Sequence, residues 1–152
     1  MVSTLALCAI GMAVSVYTLS VHYEPGALIC ASAGGIDCRA VLTSSESVIF
    51  GVPVPYFGIL FFLAMGALSL PLAWQSVSSR VHWARLAMAT SGIGMVMYLL
   101  YTELFTVKKI CLWCTSVHVI TFVLFIVVVT NTPTLLARSR KIQQGLSDLV
   151  NT

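Results

Sequence analysis

Apolar and polar positions in this chain do not alternate; apolar residues run together in long blocks separated by short polar interruptions. Residues 1–23 contain no Asp, Glu, Lys or Arg, and neither do 47–79, 86–102 or 110–137. A helix needs about 20 consecutive apolar residues to cross the hydrocarbon core of a bilayer. The blocks therefore predict helices near 2–22, 54–75, 84–106 and 110–130, the third less tidy because Glu103 lies near its end. The expected fold class is all-α: an integral membrane bundle of four transmembrane helices, with an external loop over 23–53 that carries cysteines.

Composition supports this. Of the 152 residues, 59% are hydrophobic and 9% charged, against about 25% charged in a soluble domain. So few charges cannot cover a soluble fold of this size. The length predicts a single domain, 1–152. A net charge of +3, spread thinly, gives no case for nucleic acid as a partner. The first block has no basic start and no obvious small-residue cleavage site before His22-Tyr23-Glu24, so it reads as a retained helix rather than a signal peptide.

Four crossings put both termini on one side. The start, the 76–85 loop and the tail hold Arg80, Arg85, Arg138, Arg140 and Lys141, five of the eight Lys and Arg. The other side holds Arg39, Lys108 and Lys109, with Glu24, Asp37, Glu46 and Glu103 nearby. An excess of Lys and Arg marks the cytoplasmic side, so both termini are expected there. The polar tail, 131–152, is expected to be loosely ordered. The loop cysteines Cys30 and Cys38 and the helix-start cysteine Cys111 then share the external, oxidising side.

Cys111-Leu112-Trp113-Cys114 is the sharpest local signal. A helix N-terminus carries partial positive charge that stabilises a thiolate, and the thiolate is the nucleophile in disulfide exchange. Lys108 and Lys109 add to that field. The alternatives are an inert structural disulfide, or zinc held by the loop and helix thiols together; an apolar helix is an odd place for structural zinc, and no metal is expected. At about 100° per residue, Cys111, Cys114 and His118 share roughly a 60° arc, and Thr121 and Phe125 continue the stripe. Such a stripe suits a flat redox ring, with His118 hydrogen-bonding a carbonyl oxygen. The plain alternative is a histidine bonded to a neighbouring helix, although ionisable groups inside a membrane are functional candidates by default.

Cys30 and Cys38 are separated by seven residues that include Gly34 and Gly35. That segment can close into a disulfide and open again to exchange, and a purely structural bond is the alternative. Cys8 lies inside the first helix and reads as a small hydrophobe. Thirty residues is long for a connection, and loops of that length are usually functional or disordered. Two cysteines and the apolar Val48-Ile49-Phe50, which suits a lid over the bundle, argue for function.

The loop cysteine pair, Ser44 six residues after its second member, the run Ile49-Phe50-Gly51-Val52-Pro53-Val54-Pro55, Gly58 and the Cys-x-x-Cys together resemble the vitamin K epoxide reductase family, from Leu7-Cys8 to about Thr130. The resemblance implies four transmembrane helices around a quinone pocket. It implies that Cys111 and Cys114 are the active-site pair, with Cys114 nearest the quinone. Cys30 and Cys38 match the shuttle pair that exchanges electrons with a thioredoxin-like partner, Cys38 passing them to Cys111 through a transient mixed disulfide. Cys114, His118, Ser44, Phe50 and Thr121 form the expected quinone-binding set, for ubiquinone, menaquinone or vitamin K. In the vertebrate enzymes a tyrosine stands at the position of His118 and an asparagine at that of Val54, both bonding the vitamin K ring. The histidine and the Val-Pro-Val-Pro run look more like bacterial homologues that oxidise a periplasmic disulfide-forming partner.

The expected activity is thus quinone-coupled thiol–disulfide oxidoreduction supporting disulfide formation, in a bacterial inner membrane rather than the endoplasmic reticulum. The rival enzyme reading is a vitamin K epoxide or quinone reductase of the secretory pathway. A rival from another class is a disulfide-stabilised tetraspan protein without catalysis.

Overall fold

The structure, a computed structural model, describes residues 2–24, 26, 28–30, 34–74, 76 and 78–150. Ala31 to Ala33 of the loop and Asn151-Thr152 of the tail lie outside the described residues. The chain is nearly all helix. Helix α1 covers Val2–Tyr23 and a short α2 covers Cys38–Leu42. A 3-10 turn at Ser45–Ser47 leads into a two-stranded hairpin, β1 (Val48–Ile49) and β2 (Val52–Pro53). Then come α3 (Val54–Leu68), α4 (Pro71–Trp74), α5 (Ser79–Tyr101) with a π-helical turn at Thr102–Val107, and α6 (Leu112–Val150).

Three stretches are long and apolar enough to cross a membrane: Val2–Tyr23, Ser79–Val107 and Leu112–Leu149. Helix α3 is apolar but has 15 residues, about 22 Å at 1.5 Å per residue. The expected helix over 54–75 is therefore shorter than read. Its last turn closes at Ser69, whose N–H bonds the Gly66 carbonyl, and Pro71 opens α4 instead of continuing α3 because proline supplies no N–H to a helix interior. The expected helices over 84–106 and 110–130 are both present and longer. The tail departs most from expectation: residues 131–150 continue α6 as helix straight through Pro133. Beyond that proline, Leu, Ala, Arg, Lys and Gln are among the better helix formers, and that preference, not polarity, decides the backbone.

One cluster ties the helices together. Cys8 of α1, Phe62 and Met65 of α3, Ala89 of α5, and Leu124 and Val128 of α6 are all buried against one another. Cys8 thus packs as a small apolar side chain. Residues on the outer faces are apolar too: Ile10, Leu60, Leu63, Met97, Phe122 and Ile126 are all exposed. Inside and outside are both greasy, which is how a protein solvated by lipid is built, and the chain is a multi-pass membrane protein. In lipid, small residues let helix backbones approach closely. A Cβ at Gly58 of α3 would lie 2.8 Å from Ser15 Oγ of α1, and a Cβ at Gly11 of α1 would overlap the Phe62 ring.

Gly11→Ala should therefore push Phe62 out of the core, at about 1–3 kcal/mol for overpacking. Thermal unfolding of the purified protein in detergent should show a clearly lowered midpoint; an unchanged midpoint would mean the α1–α3 contact is looser than described.

Candidate functional site

The loop cysteines reach the helix cysteines through a short stretch of backbone pairing. Ile36 and Ile110 form an isolated parallel bridge. The Asp37 N–H donates to the Ile110 carbonyl at 3.1 Å, and the Ile110 N–H donates to the Gly35 carbonyl at 3.0 Å. Cys38 follows Asp37 and Cys111 follows Ile110, so the pairing delivers one cysteine of each pair to the same place. Cys38 and Cys111 are both buried in a second core cluster, with Val21, Val41 and Leu42; Cys30, Trp113 and Cys114 pack against it.

Further contacts hold the loop down. Trp113 Nε1 donates to the Ile29 carbonyl at 2.9 Å, and the Ile29 N–H donates to the Tyr17 hydroxyl at 2.9 Å. The Tyr17 and Trp113 rings lie 4.6 Å apart. Lys109 Nζ reaches the Gly34 carbonyl at 3.4 Å. Gly34 has a positive φ of 60°, a conformation that glycine adopts at no steric cost. Asp37 caps α2 by accepting from the Ala40 N–H at 3.0 Å, which fixes Cys38 as the first residue of that helix.

The two pairs stand in different states. Cys30 and Cys38 are disulfide-bonded, with Cα atoms 6.3 Å apart; Cys30 is half-buried and Cys38 fully buried. Cys111 and Cys114 are free thiols whose sulfurs lie 2.7 Å apart. A disulfide is about 2.05 Å long, so a small movement closes the pair. The Cys114 N–H also donates to Cys111 Sγ at 3.2 Å. That donor, at the first turn of α6, favours a thiolate on Cys111. Among the described residues, no group of three or more His, Cys, Asp or Glu is placed to hold a metal ion.

Cys114 opens onto a cavity of about 370 Å³ enclosed by α1, α2, α3, α5, α6 and the 3-10 turn. Its wall is mostly apolar, with Phe57, Phe61, Met88, Met95, Val96 and Leu99 among the lining. The polar groups on it are few: Ser44, Ser47, Glu46, Glu103, His118 and Thr121 stand out. His118 is only 5% exposed, and its Nδ1 is buried with no hydrogen-bond partner. Thr121 donates to the Val117 carbonyl of its own helix, and Ser44 to the Val41 carbonyl; both keep oxygen lone pairs available. Val54 and Gly58 also line the cavity.

The expected quinone-binding residues Cys114, His118, Ser44 and Thr121 therefore meet on one wall. Phe50 does not join them. It sits at the hairpin tip with a positive φ of 52°, beside Gly51 at 81°, and is 99% exposed. The tight turn aims its side chain away from the cavity, so the sequence reading that placed Phe50 at the ring is corrected. Phe125, which continued the stripe, packs against the core cluster instead.

Glu103 was passed over in the sequence, read there only as a blemish in a helix. In the structure it is 4% exposed and lines the cavity together with Cys114, close enough to the Cys111 backbone and the Cys114 side chain to interact with both; the Cys114 thiol itself donates to Cys111 Sγ. The signal that finds it is the same one that flagged His118: an ionisable residue inside an apolar span is a functional candidate.

A buried dithiol at the lip of an apolar cavity, backed by a docked disulfide, is the layout of a membrane thiol–disulfide oxidoreductase. The model of the vitamin K epoxide reductase family matches residues 2–129, so the chain belongs to that family and is a membrane, quinone-linked thiol oxidoreductase.

Trp113→Phe keeps the ring but removes the hydrogen bond to Ile29, worth about 0.5–1.5 kcal/mol. Limited proteolysis should then cut the 24–37 segment about 2–10 times faster, following the local opening equilibrium. Equal cleavage rates would show that the indole N–H does not hold the loop.

Proposed function

We propose that the chain crosses the membrane four times, with α3 and α4 together forming the short fourth crossing, and oxidises a thioredoxin-like partner at the expense of a quinone. The observation that carries this reading is the Gly35–Asp37 pairing with Ile110, which sets a closed pair beside an open one. In the proposed order, a partner thiolate attacks the Cys30–Cys38 disulfide at Cys30, the more accessible sulfur. Exposed Ile29 next to it offers an apolar foothold for the partner. The freed Cys38 exchanges with the Cys111–Cys114 disulfide at Cys111 and releases Cys114; the partner's second thiol then frees Cys30, which re-forms the Cys30–Cys38 bond and leaves Cys111 and Cys114 as a dithiol, with Cys114 on the cavity.

The cavity fits a quinone headgroup. Its volume lies in the range of ligand sites, about 300–1,000 Å³, its wall is apolar, and the unpartnered His118 imidazole can donate to a carbonyl oxygen. A bound quinone supplies the oxidising power, taking up two electrons and two protons. His118 orients the ring, with Thr121 and Ser44 as further hydrogen-bonding groups, and the apolar wall keeps water from the reduced pair.

Val54 and His118 both face the cavity. They stand where the vertebrate enzymes carry the asparagine and tyrosine that bond the vitamin K ring, and this favours disulfide formation over epoxide reduction. It also favours the inner membrane of a bacterium, with both termini cytoplasmic and the cysteines outside.

Cys114→Ala should abolish quinone reduction by the dithiothreitol-reduced protein while leaving the Cys30–Cys38 pair open to exchange. Turnover at the normal rate would end the proposal. Cys111→Ser, which leaves the freed Cys38 without its acceptor, should instead build up a mixed disulfide between Cys30 and the partner, visible as a band shift on a non-reducing gel. A tetraspan protein without catalysis gives no such band. His118→Phe should raise the quinone KM about 10-fold, as expected for the loss of about 1.4 kcal/mol of hydrogen bonding to a buried group. An unchanged KM would remove His118 from the ring site.

A further inference from the structure

The π-helical turn after α5 does more than end a span. It holds the carboxyl of Glu103 in the cavity wall beside both thiols of the Cys-x-x-Cys pair. The turn covers Thr102–Val107, and Lys108 closes it in a left-handed conformation with its N–H on the Glu103 carbonyl. The Lys109 N–H bonds the same carbonyl at 3.2 Å. The backbone of Glu103 is thus pinned twice, and the side chain, 4% exposed, shares the cavity wall with Cys114 and lies within electrostatic reach of its thiol.

Burying a carboxyl is expensive. An ionised side chain within the membrane costs several kcal/mol unless it is paired, and no cation is among the described groups that interact with this one. Lys108 is exposed, and Lys109 points its Nζ at Gly34. From α2 the nearest charged residue in sequence is Arg39, exposed on that helix. His118 and Glu46 are the remaining titratable groups on the cavity wall apart from the thiols themselves. A leucine in this place would pack without that cost.

We infer that Glu103 is a catalytic base, which takes the Cys114 proton as the Cys111–Cys114 pair is oxidised and holds it at the cavity wall. The inference rests on the proposed quinone-coupled reaction. Oxidation of the dithiol forms one S–S bond and breaks two S–H bonds. It releases two electrons and two protons, and the quinone takes up both electrons. One proton travels by way of the Glu103 carboxylate. The other leaves Cys111 for the aqueous medium, from which the hydroquinone draws its second. The sum is dithiol plus quinone to disulfide plus hydroquinone, with Glu103 returned to its starting state.

Glu103→Gln tests this in the full-length protein, because the amide keeps the shape but takes up no proton. With short-chain ubiquinone or menaquinone as acceptor and dithiothreitol as donor, kcat should fall about 100-fold, the usual worth of general base catalysis, while KM stays within about twofold. Glu103→Asp, which keeps a carboxyl one methylene further back, should recover part of the loss. A second readout needs no quinone: the pH profile of Cys114 alkylation by an uncharged maleimide, followed by mass. The wild-type profile should carry two inflections, one for the carboxyl and one for the thiol, and the Glu103→Gln profile only one. Superimposed alkylation profiles, or a kcat equal in the Gln and Asp variants, would overturn the inference. Should the wild-type protein reduce no quinone, the functional reading falls while the alkylation comparison still decides whether Glu103 shares a proton with Cys114.

Discussion

Two backbone hydrogen bonds, from Asp37 to Ile110 and from Ile110 to Gly35, bring the loop cysteine pair and the helix cysteine pair to one place. Peptide groups give a bond with fixed direction, and here it joins residues more than seventy positions apart. Because cysteines follow immediately on both sides of the pairing, its register becomes the register of the redox pairs. Slipping the loop by one residue would shift the start of α2, and Cys38 with it, along the pairing and away from Cys111. The Trp113–Ile29–Tyr17 contacts brace the same loop from the other end, so the disulfide is presented on a platform rather than on a free strand.

The bundle beneath supplies the second requirement, a mostly apolar cavity that one sulfur lines. Gly11, Ser15 and Gly58 let α1 and α3 approach closely, while α5 and α6 carry the bulkier wall. Cys111 is buried in the loop cluster and Cys114 lies on the cavity, three residues along one helix face. That spacing is the hinge of the design: one thiol addresses the loop, the other addresses the membrane interior. A Cys-x-x-Cys deeper in α6 would lose the loop, and one placed before the helix would lose the cavity.

Much of this was legible in the sequence. The uncharged blocks foretold α1, α5 and α6, and cysteine spacing foretold two pairs, one of which is bonded. Helical periodicity put Cys114, His118 and Thr121 on one stripe, and the cavity wall contains all three. What the sequence hid was set by tertiary or backbone detail. Ser69 and Pro71 cut α3 short although hydropathy runs on past them. Phe50 belongs to an apolar run, but a left-handed turn at residues 50 and 51 faces it outward. The polarity of 131–150 concealed good helix formers. Glu103 stands at the edge of an uncharged block, and only the packing of the turn after α5 puts it on the cavity wall.

The need for two cysteine pairs follows from solubility. In the proposed scheme the electron donor is a water-soluble protein and the acceptor a lipid-soluble ring, and neither can enter the other's medium at reasonable cost. A single buried pair would be closed to a folded partner; a single loop pair would be closed to the cavity. The wall around Cys114 is mostly apolar, a setting in which charges interact more strongly than in water and few groups can take a proton. A thiol oxidised in such a place must surrender its proton to a group already there. Glu46, Glu103 and His118 are the described ionisable groups on this wall besides the thiol, and of these the Glu103 carboxyl is the one that interacts with it. The same apolar wall thus creates the demand for a built-in base, and the turn after α5 is where the chain meets it.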